Sequence, residues 1–305
     1  MSAANQRFHT RTGNAPMKIL LTGGSGLAGK AITDDLVAHG YEVVRVDRVA
    51  PPDAPNTRGQ AGASTFKFVD TTDMAQVTSA MAGCDAVIHM AAITNPLIMS
   101  EFEVFRINML SNWAVLEAAE IHGIKKIVMA SSVNSIGAVF SKGITPRPYF
   151  PIDEEHPTFA EDAYSQSKWL GEEMAEAFVR RRSGDVQIAS MRFHGLLTEA
   201  RQSDMRAGVA RGNVVDSAPK HFWGWTDLNE AAVACRLAIE TDWDGHEAFF
   251  INGADTSSNV PTIDLVREMY PDAEIKGDLE GFKSAISIEK ARRVLGWEPT
   301  ATWRE

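Results

Sequence analysis

The chain has 305 residues, a formal net charge of −10 and 44% hydrophobic residues. This length suits one large α/β domain with a smaller appended unit, and the acidic balance argues against a nucleic-acid-binding surface. No segment reaches the roughly 20 apolar residues of a membrane helix, and the polar residues 1–16 lack the apolar core of a secretory signal, so we expect a disordered extension there. Cys84 and Cys235 are far apart and fit free thiols in a reducing, cytoplasmic compartment.

Strands and helices alternate along the first two thirds of the chain. Short β-branched and apolar runs predict the strands, and apolar residues at three- to four-residue spacing predict the helices. The predicted strands are 17–22, 41–47, 66–69, 85–90, 127–130 and 187–193, and the predicted helices are 26–39, 73–82, 101–122 and the long helix that carries Lys168. This alternation predicts a Rossmann-type, doubly wound α/β domain with a parallel sheet over residues 17–193.

The pattern loosens after Phe193. A polar stretch at 198–220 is followed by a predicted helix at 228–240, a strand at 248–252 and helices near 262–270 and 288–295. These pieces are too small to form a core alone. We therefore expect residues 194–305 to form mainly a small α/β substrate-binding cap over the carboxyl edge of the sheet, with some segments returning to the main domain.

A glycine-rich turn follows the first predicted strand and opens the first predicted helix. Its residues are Gly23, Gly24, Ser25, Gly26, Leu27, Ala28 and Gly29. Glycines there permit a tight turn and let a pyrophosphate approach backbone N–H groups at the positive end of a helix. Asp47, roughly 20 residues on at the end of the second strand, is placed to accept hydrogen bonds from an adenosine ribose. Together they predict a dinucleotide site, and the charge of Asp47 favours NAD.

Polar neighbours of Asp47 refine this cofactor prediction. Arg48 keeps NADP open as the alternative, because an arginine at this position can bind a 2′-phosphate. Asp70 follows the third strand, where it either reaches the adenine amino group or shares the cap of the next helix with Asp73.

Tyr164 and Lys168 lie one helical turn apart. Their i, i+4 spacing puts the phenol and the ammonium on one side of the helix, where the cation favours phenolate and lowers a pKa that is normally about 10. A tyrosine tuned in this way takes a proton from an alcohol while a nicotinamide takes the hydride. The pair therefore predicts a redox enzyme. No pair of histidines has metal-ligand spacing, so we expect no catalytic metal.

The ordered motifs resemble those of the extended short-chain dehydrogenase/reductases, also described as the NAD-dependent epimerase/dehydratase family. The similarity covers Met17 to about Trp303 and rests on the glycine turn, His89-Met90-Ala91-Ala92, Asn108, Ser131-Ser132 through Gly137, Tyr164-x-x-x-Lys168 and Trp297-Glu298-Pro299. The resemblance implies that Tyr164 is the general acid/base and that Lys168 holds the nicotinamide ribose. It also implies that Ser132 bonds the reacting oxygen, with Ser131 as a substitute, and that Asn108 helps to order the catalytic site.

The same resemblance implies two sets of contacts. The expected cofactor contacts are Gly23, Gly24, Ser25, Gly26, Leu27, Gly29, Asp47, Arg48, Asp70, Thr71, Met90, Ala91, Ala92, Asn108, Tyr164, Lys168 and Phe193. The expected substrate contacts are Ser132, Val133, Asn134, Tyr164, His194, Trp223 and Trp225. A tryptophan face suits the C–H surface of a sugar. The alternative is that both tryptophans are core residues and that His194 only bonds a backbone carbonyl.

The chain differs from the family members that act on nucleotide sugars in the segment where those members bind a diphosphate. A diphosphate needs several cations, and the segment between Gly195 and Trp225 offers few beyond Arg201, Arg206, Arg211 and Lys220. We therefore expect a dehydrogenase that acts on a secondary hydroxyl of a sugar, sugar acid or similar small polyhydroxy compound. A nucleotide-sugar epimerase similar to UDP-glucose 4-epimerase is the first alternative, and a non-catalytic dinucleotide-sensing module is the second.

The predicted helix at 101–122 carries more apolar residues than one sheet-facing side requires. Its apolar stripe consists of Phe102, Phe105, Met109, Trp113 and Leu116. Members of the short-chain dehydrogenase/reductase family dimerise through this helix and the helix that bears Lys168, which form a four-helix bundle across the interface. The resemblance therefore implies a homodimer.

Overall fold

A seven-stranded sheet forms the centre of the molecule. The computed structural model describes residues 15–51, 63–213 and 219–305, so most of the expected extension at 1–16 lies outside the described residues. The strands are β1 (Lys18–Thr22), β2 (Glu42–Asp47), β3 (Ser64–Phe68), β4 (Ala86–His89), β5 (Lys126–Ser132), β6 (Tyr149–Phe150), β7 (Gln187–Phe193), β8 (Leu196–Leu197), β9 (Thr226–Asp227), β10 (His246–Ile251) and β11 (Glu274–Ile275). The helices are α1 (Leu27–Ala38), α2 (Met74–Met81), α3 (Glu101–Ile121), α4 (Ala163–Arg181), α5 (Glu199–Ala210), α6 (Leu228–Glu240), α7 (Thr262–Met269) and α8 (Glu289–Leu295), with 3₁₀ turns at Val133–Ile136 and Pro219–His221.

The main sheet has the order β10-β7-β5-β4-β1-β2-β3, and all of its neighbouring strands are parallel. Strand order reverses at β1, which lies between β2 and β4. Sheets of this class bind ligands at the carboxyl ends of the strands beside such a reversal. The predicted Rossmann-type, doubly wound architecture is confirmed.

Helices cover both faces of the sheet, which explains the apolar character of its strands. Ile19, Leu20 and Leu21 are fully buried in succession, because alternate side chains of β1 point to opposite faces and each face is covered. Burying such a side chain contributes about 1.5–3 kcal/mol. Helices α1, α6 and α8 contribute to the core on one face, and α2, α3 and α4 contribute to the core on the other.

Several elements after Phe193 belong to the main domain. Strand β10 pairs with β7 at the edge of the main sheet, α6 packs against α1, and α8 packs against β10. The predicted helices at 228–240 and 288–295 and the strand at 248–252 are therefore not parts of a cap. A separate apolar cluster, which includes Phe150, Trp223 and Val266, lies among β6, α7 and the loops beyond β5.

Helix α5 lies in the stretch at 198–220 where the sequence pattern predicted no element. Thr198 caps it by accepting the N–H of Arg201 at 3.3 Å. The helix buries only Gln202, Met205 and Gly208, a stripe too polar to produce a helical apolar period. The Gln202 amide donates to Asp227 at 2.7 Å, so tertiary contacts help to hold the helix.

Candidate active site

A cavity of about 1050 Å³ runs along the carboxyl edge of the sheet, large enough for an extended ligand. The predicted site residues on its wall are Gly23, Gly26, Leu27, Gly29, Asp47, Arg48, Asp70, Thr71, Met90, Ala91, Ala92, Ser132, Val133, Asn134, Tyr164, Lys168, Phe193, His194 and Trp225. Four predicted residues are not part of this wall, namely Gly24, Ser25, Asn108 and Trp223.

The glycine turn has no room for side chains at its critical positions. Gly23 has φ +67°, and a Cβ there would lie 2.9 Å from the backbone nitrogen of Ala91. A Cβ at Gly29 would lie 2.2 Å from the carbonyl oxygen of Gly23. Helix α1 starts after Gly26 without a side-chain cap, whereas side chains cap each of α2 to α6. An uncapped helix N-terminus beside a cavity fits a pyrophosphate.

Gly24 and Ser25 hold the turn against β2. A Cβ at Gly24 would lie 2.7 Å from Cβ of Arg45. The Ser25 N–H donates to Asp47 Oδ2 at 3.1 Å, and the Ser25 hydroxyl donates to the Val49 carbonyl. Both residues therefore support the turn from behind the cavity wall.

Two carboxylates mark the end of the cavity where an adenosine ribose is expected. Asp47 accepts the N–H of Arg48 at 2.7 Å. Asp70 accepts the N–H and hydroxyl of Thr72 at 2.9 and 2.7 Å, and these bonds hold the pKa of Asp70 below its usual range. Asp73 caps α2, so Asp70 stays on the cavity wall. Arg48 Nε lies 3.9 Å from Asp70, which places the cation expected for a 2′-phosphate beside a carboxylate and favours NAD.

A buried threonine–histidine pair fixes the next part of the wall. The Thr22 hydroxyl accepts the N–H groups of Met90 and Ala91, each at 3.1 Å, and lies 2.7 Å from His89 Nδ1. Burial lowers the pKa of His89 to about 3, so the ring is neutral and Nδ1 accepts the threonine hydroxyl. Sequence reasoning missed this pair, although Thr22 and His89 end neighbouring strands in register.

Tyr164 and Lys168 come together on the cavity wall as predicted, with Lys168 Nζ 5.6 Å from the centroid of the tyrosine ring. Burial raises the pKa of Tyr164 to about 12, against the lowering effect of its hydrogen bond with Ser132. Burial also lowers the pKa of Lys168 to about 8, and its ammonium donates to the Ala130 carbonyl at 2.6 Å. The predicted lowering of the tyrosine pKa is therefore wrong for the ligand-free chain, because burial disfavours the charged phenolate.

The two adjacent serines have different partners. Ser132 Oγ accepts the backbone N–H and the side-chain amide of Asn134 at 3.1 and 3.2 Å. Its hydroxyl is also hydrogen-bonded with Tyr164. Ser131 instead donates to Glu172 at 2.5 Å. This bond makes Ser131 a poor substitute for Ser132.

Asn108 orders the wall from outside the cavity. Its side chain accepts the N–H of Ile93 at 2.8 Å and donates to the Ile93 carbonyl at 3.0 Å. It also donates to Ser167 on α4 at 3.0 Å. Ile93 lines the cavity, so Asn108 connects the loop after β4 to the helix that carries Tyr164.

The two predicted tryptophans have different roles. Trp225 lines the cavity, and its indole N–H is shared by the carbonyl and carboxylate of Asp255 at 3.0 and 2.9 Å. Trp223 is fully buried, and its indole nitrogen has no hydrogen-bond partner among the described residues. Phe222 and Trp223 have φ of 56° and 51°, a conformation that costs about 1–3 kcal/mol per residue. Burial of both rings holds this loop in place.

His194 contacts the same loop. Its Nε2 lies 2.8 Å from the His221 carbonyl, and its Nδ1 accepts the N–H of Gly195 at 2.7 Å. These two contacts require a proton on Nε2, which donates to the carbonyl. The interpretation of His194 as a carbonyl partner therefore holds, although the ring also lines the cavity.

Of the four cations considered from the sequence, Arg201 alone lies on the cavity wall. Arg206 pairs with Glu199, and Lys220 donates to the carbonyl of Ser141 at 2.5 Å. Arg201 forms no side-chain hydrogen bond or ion pair with the part of the chain that the structure describes. The substrate end of the cavity therefore presents one guanidinium from this set.

The sequence profile of the NAD dependent epimerase/dehydratase family matches residues 19–216. The chain belongs to this family. It is 25% identical over 325 residues to the UDP-glucose 4-epimerase of Corynebacterium glutamicum, covering 94% of this chain and 92% of that one. It is 30% identical over 164 residues to the uronate dehydrogenase of Pseudomonas putida, covering 54% of this chain and 56% of that one. A crystal structure of Thermotoga maritima UDP-glucose 4-epimerase with UDP-glucose superposes with a TM-score of 0.68 at 21% identity, covering 95% of this chain and 96% of that one.

Membership of the epimerase/dehydratase family confirms the predicted family, the enzyme class and NAD as the cofactor. Within the described ranges, no helix is long and apolar enough to cross a bilayer. Those ranges also contain no group of three or more His, Cys, Asp or Glu side chains arranged to hold a metal ion.

Proposed function

We propose that this protein is an NAD-dependent dehydrogenase that oxidises a secondary hydroxyl of a sugar acid or a similar small polyhydroxy compound. The observation that carries the proposal is the placement of Ser132, Tyr164, Lys168 and Arg201 on one cavity wall. Ser132, Tyr164 and Lys168 would transfer a proton from the substrate hydroxyl. Arg201 would bind the negative charge of an acidic substrate.

Different residues of the cavity wall would hold different parts of the cofactor. The glycine turn and the N-terminus of α1 would hold the pyrophosphate, and Asp47 the adenosine ribose. Tyr164 and Lys168 would hold the nicotinamide ribose. Bound oxidised NAD supplies the hydride acceptor.

Proton transfer is assigned to the tyrosine. Ser132 and Tyr164 orient the substrate hydroxyl, and the O–H proton passes to the phenolate oxygen of Tyr164 as the carbinol carbon loses its hydride. The carbonyl product stays bonded to both side chains. Lys168, held by the Ala130 carbonyl, favours the phenolate by its charge.

The substrate class follows from Arg201. Arg201 has no side-chain partner among the described residues, and one such guanidinium suits a carboxylate or a single phosphate, whereas a diphosphate needs several donors. A hydrogen bond to a charged group contributes about 1.5–3 kcal/mol. Trp225 adds an apolar face for sugar C–H groups, and the similarity to a uronate dehydrogenase agrees with an acidic substrate.

The test measures NADH formation with purified protein, NAD and a panel of uronates, neutral sugars, sugar phosphates and UDP-sugars. Tyr164→Phe should lower kcat by about 100-fold or more because the general base is lost. Arg201→Leu should raise KM for acidic substrates about 10- to 100-fold without changing KM for NAD. Arg211→Leu is the matched control, since Arg211 is outside the cavity wall. Equal turnover of neutral and acidic sugars would refute the role of Arg201.

The similarity to UDP-glucose 4-epimerases over most of the chain supports a second candidate, a nucleotide-sugar epimerase. An epimerase would interconvert UDP-glucose and UDP-galactose without accumulating NADH, because the hydride returns to the substrate. Chromatography of the two UDP-sugars separates this activity from net oxidation. Cofactor binding without turnover of any panel member would contradict both candidates.

We also propose that α3 forms part of a homodimer interface. Its exposed apolar residues are Phe102 (72% exposed), Leu110 (46%), Trp113 (46%) and Ile121 (60%). They recur at helical spacing and form one stripe. The predicted stripe shares Phe102 and Trp113 with it, but Leu116 is buried in the core.

A further inference from the structure

A third side chain continues the row that Tyr164 and Lys168 begin on α4. Glu172 lies one turn further along the helix, and its carboxylate accepts the Ser131 hydroxyl at 2.5 Å. Ser131 lies on β5 between Ala130 and Ser132. The Ala130 carbonyl accepts the Lys168 ammonium, and the Ser132 hydroxyl is hydrogen-bonded with Tyr164. Three successive strand residues are therefore bonded to three successive turns of one helix face.

Glu172 is itself held by an arginine from the next strand. Arg192 on β7 donates from Nε to one carboxylate oxygen at 3.0 Å and from Nη2 to the other at 2.8 Å. Its Nη1 also donates to the Glu154 carbonyl at 3.2 Å. Both members of the pair are buried, and a buried bidentate pair allows one geometry.

The Glu172–Arg192 pair lies outside the cavity wall, so Glu172 can act only through its neighbours. Its negative charge raises the pKa of Lys168 against the larger lowering effect of burial. Its bond to Ser131 fixes the part of β5 that presents Ser132. The position of the pair thus affects both the charge and the geometry of the proposed proton-transfer site.

We propose that Glu172 is a positioning residue that fixes β5 against α4 through Ser131 and keeps the ammonium of Lys168 charged beside Tyr164. This inference rests on the proposed role of the Tyr164–Lys168 pair. It assigns a function to a buried ion pair that contacts neither cofactor nor substrate.

The pH dependence follows from the titratable and charged groups around Glu172 and Lys168. These groups are Tyr164 on α4, Asp162 at its cap, His89 on β4, Arg192 on β7, His246 on β10, and Glu154 and Glu155 in the loop after β6. His89 stays neutral because its pKa is about 3. Since Glu172 raises the pKa of Lys168, removing its charge makes the ammonium lose its proton at lower pH, which moves the alkaline limb of the activity profile to lower pH.

The test compares three variants for kcat, KM and the pH profile of kcat/KM. Glu172→Gln should lower kcat about tenfold at pH 8 and shift the alkaline limb down by about one unit, with little change in KM for NAD. Ser131→Ala, which keeps the ion pair, should lower kcat without moving the limb. Glu173→Gln, at an exposed neighbour on the same helix, should match the wild type.

Two further measurements keep the inference testable. Should Glu172→Gln fail to fold, Glu172→Asp retains the charge and is expected to keep the wild-type alkaline limb while kcat falls. Should no substrate be turned over, the ionisation of Tyr164 in the NAD-bound protein, followed by phenolate absorbance, must still move to higher pH in Glu172→Gln. A folded Glu172→Gln with wild-type kcat, pH profile and tyrosine ionisation would overturn the inference.

Discussion

In the ligand-free protein, Lys168 with a pKa of about 8 loses its charge before Tyr164, with a pKa of about 12, can ionise. The ammonium therefore gives the phenolate little help on its own. A unit charge 5.6 Å from the ring centroid stabilises phenolate by about 3 kcal/mol at an effective dielectric constant near 20, or about two pH units. Two positive charges of this strength, the retained ammonium and an oxidised nicotinamide, would bring the ionisation of Tyr164 down to about pH 8.

The ionisation of Tyr164 can be measured by the near-ultraviolet absorbance of the phenolate during a pH titration. The chain has four tyrosines, so subtracting the Tyr164→Phe titration isolates one of them. We expect no ionisation of Tyr164 below about pH 10 without ligand or with NADH, whose ring is uncharged, and an ionisation near pH 8 with NAD. Lys168→Met should raise the NAD-bound value by about two units. A phenolate that forms near neutral pH without any cofactor would refute this reasoning.

Three other predictions address the cofactor site and the assembly. Gly29→Ala should abolish NADH binding, measured by fluorescence titration, because the added Cβ would lie 2.2 Å from the Gly23 carbonyl oxygen; tight binding by this variant would contradict the close packing. Asp47→Ser should weaken NAD binding about tenfold and narrow the preference over NADP, and an unchanged ratio of the two affinities would argue against its ribose role. Phe102→Glu should convert the proposed dimer into a monomer in light scattering, whereas Arg267→Glu, at an exposed position on α7, should leave the oligomeric state unchanged; a wild-type protein that is already monomeric at micromolar concentration would contradict the proposed interface.

Features that depend on local spacing could be predicted from the amino-acid sequence alone. Alternating strand and helix periods predict the parallel sheet, because side chains repeat every second residue in strands and about every 3.6 residues in helices. The glycine turn could also be predicted, since only glycine tolerates the positive φ at Gly23 and the close backbone contacts at Gly24 and Gly29. The i, i+4 spacing of Tyr164 and Lys168 placed both side chains on one helix face.

Features that depend on partners distant in sequence became visible only in the folded chain. Trp223 and Trp225 are near neighbours in the chain, yet the first is buried in a core and the second faces the cavity. The sequence could not distinguish Arg201 from Arg206 as a substrate-binding cation. In the fold, Arg206 pairs with Glu199, whereas Arg201 lies on the cavity wall. Spacing cannot reveal such differences because they depend on which elements pack together.

The direction of the tyrosine pKa shift was also decided by the fold. The sequence predicted that the charge of Lys168 would dominate, but both side chains are buried, and burial disfavours the charged form of each. The proposed role of Glu172 likewise depends on contacts with Ser131 and Arg192, which lie on two different strands. A pattern in the chain identifies which groups can react, whereas desolvation and long-range contacts set their charge.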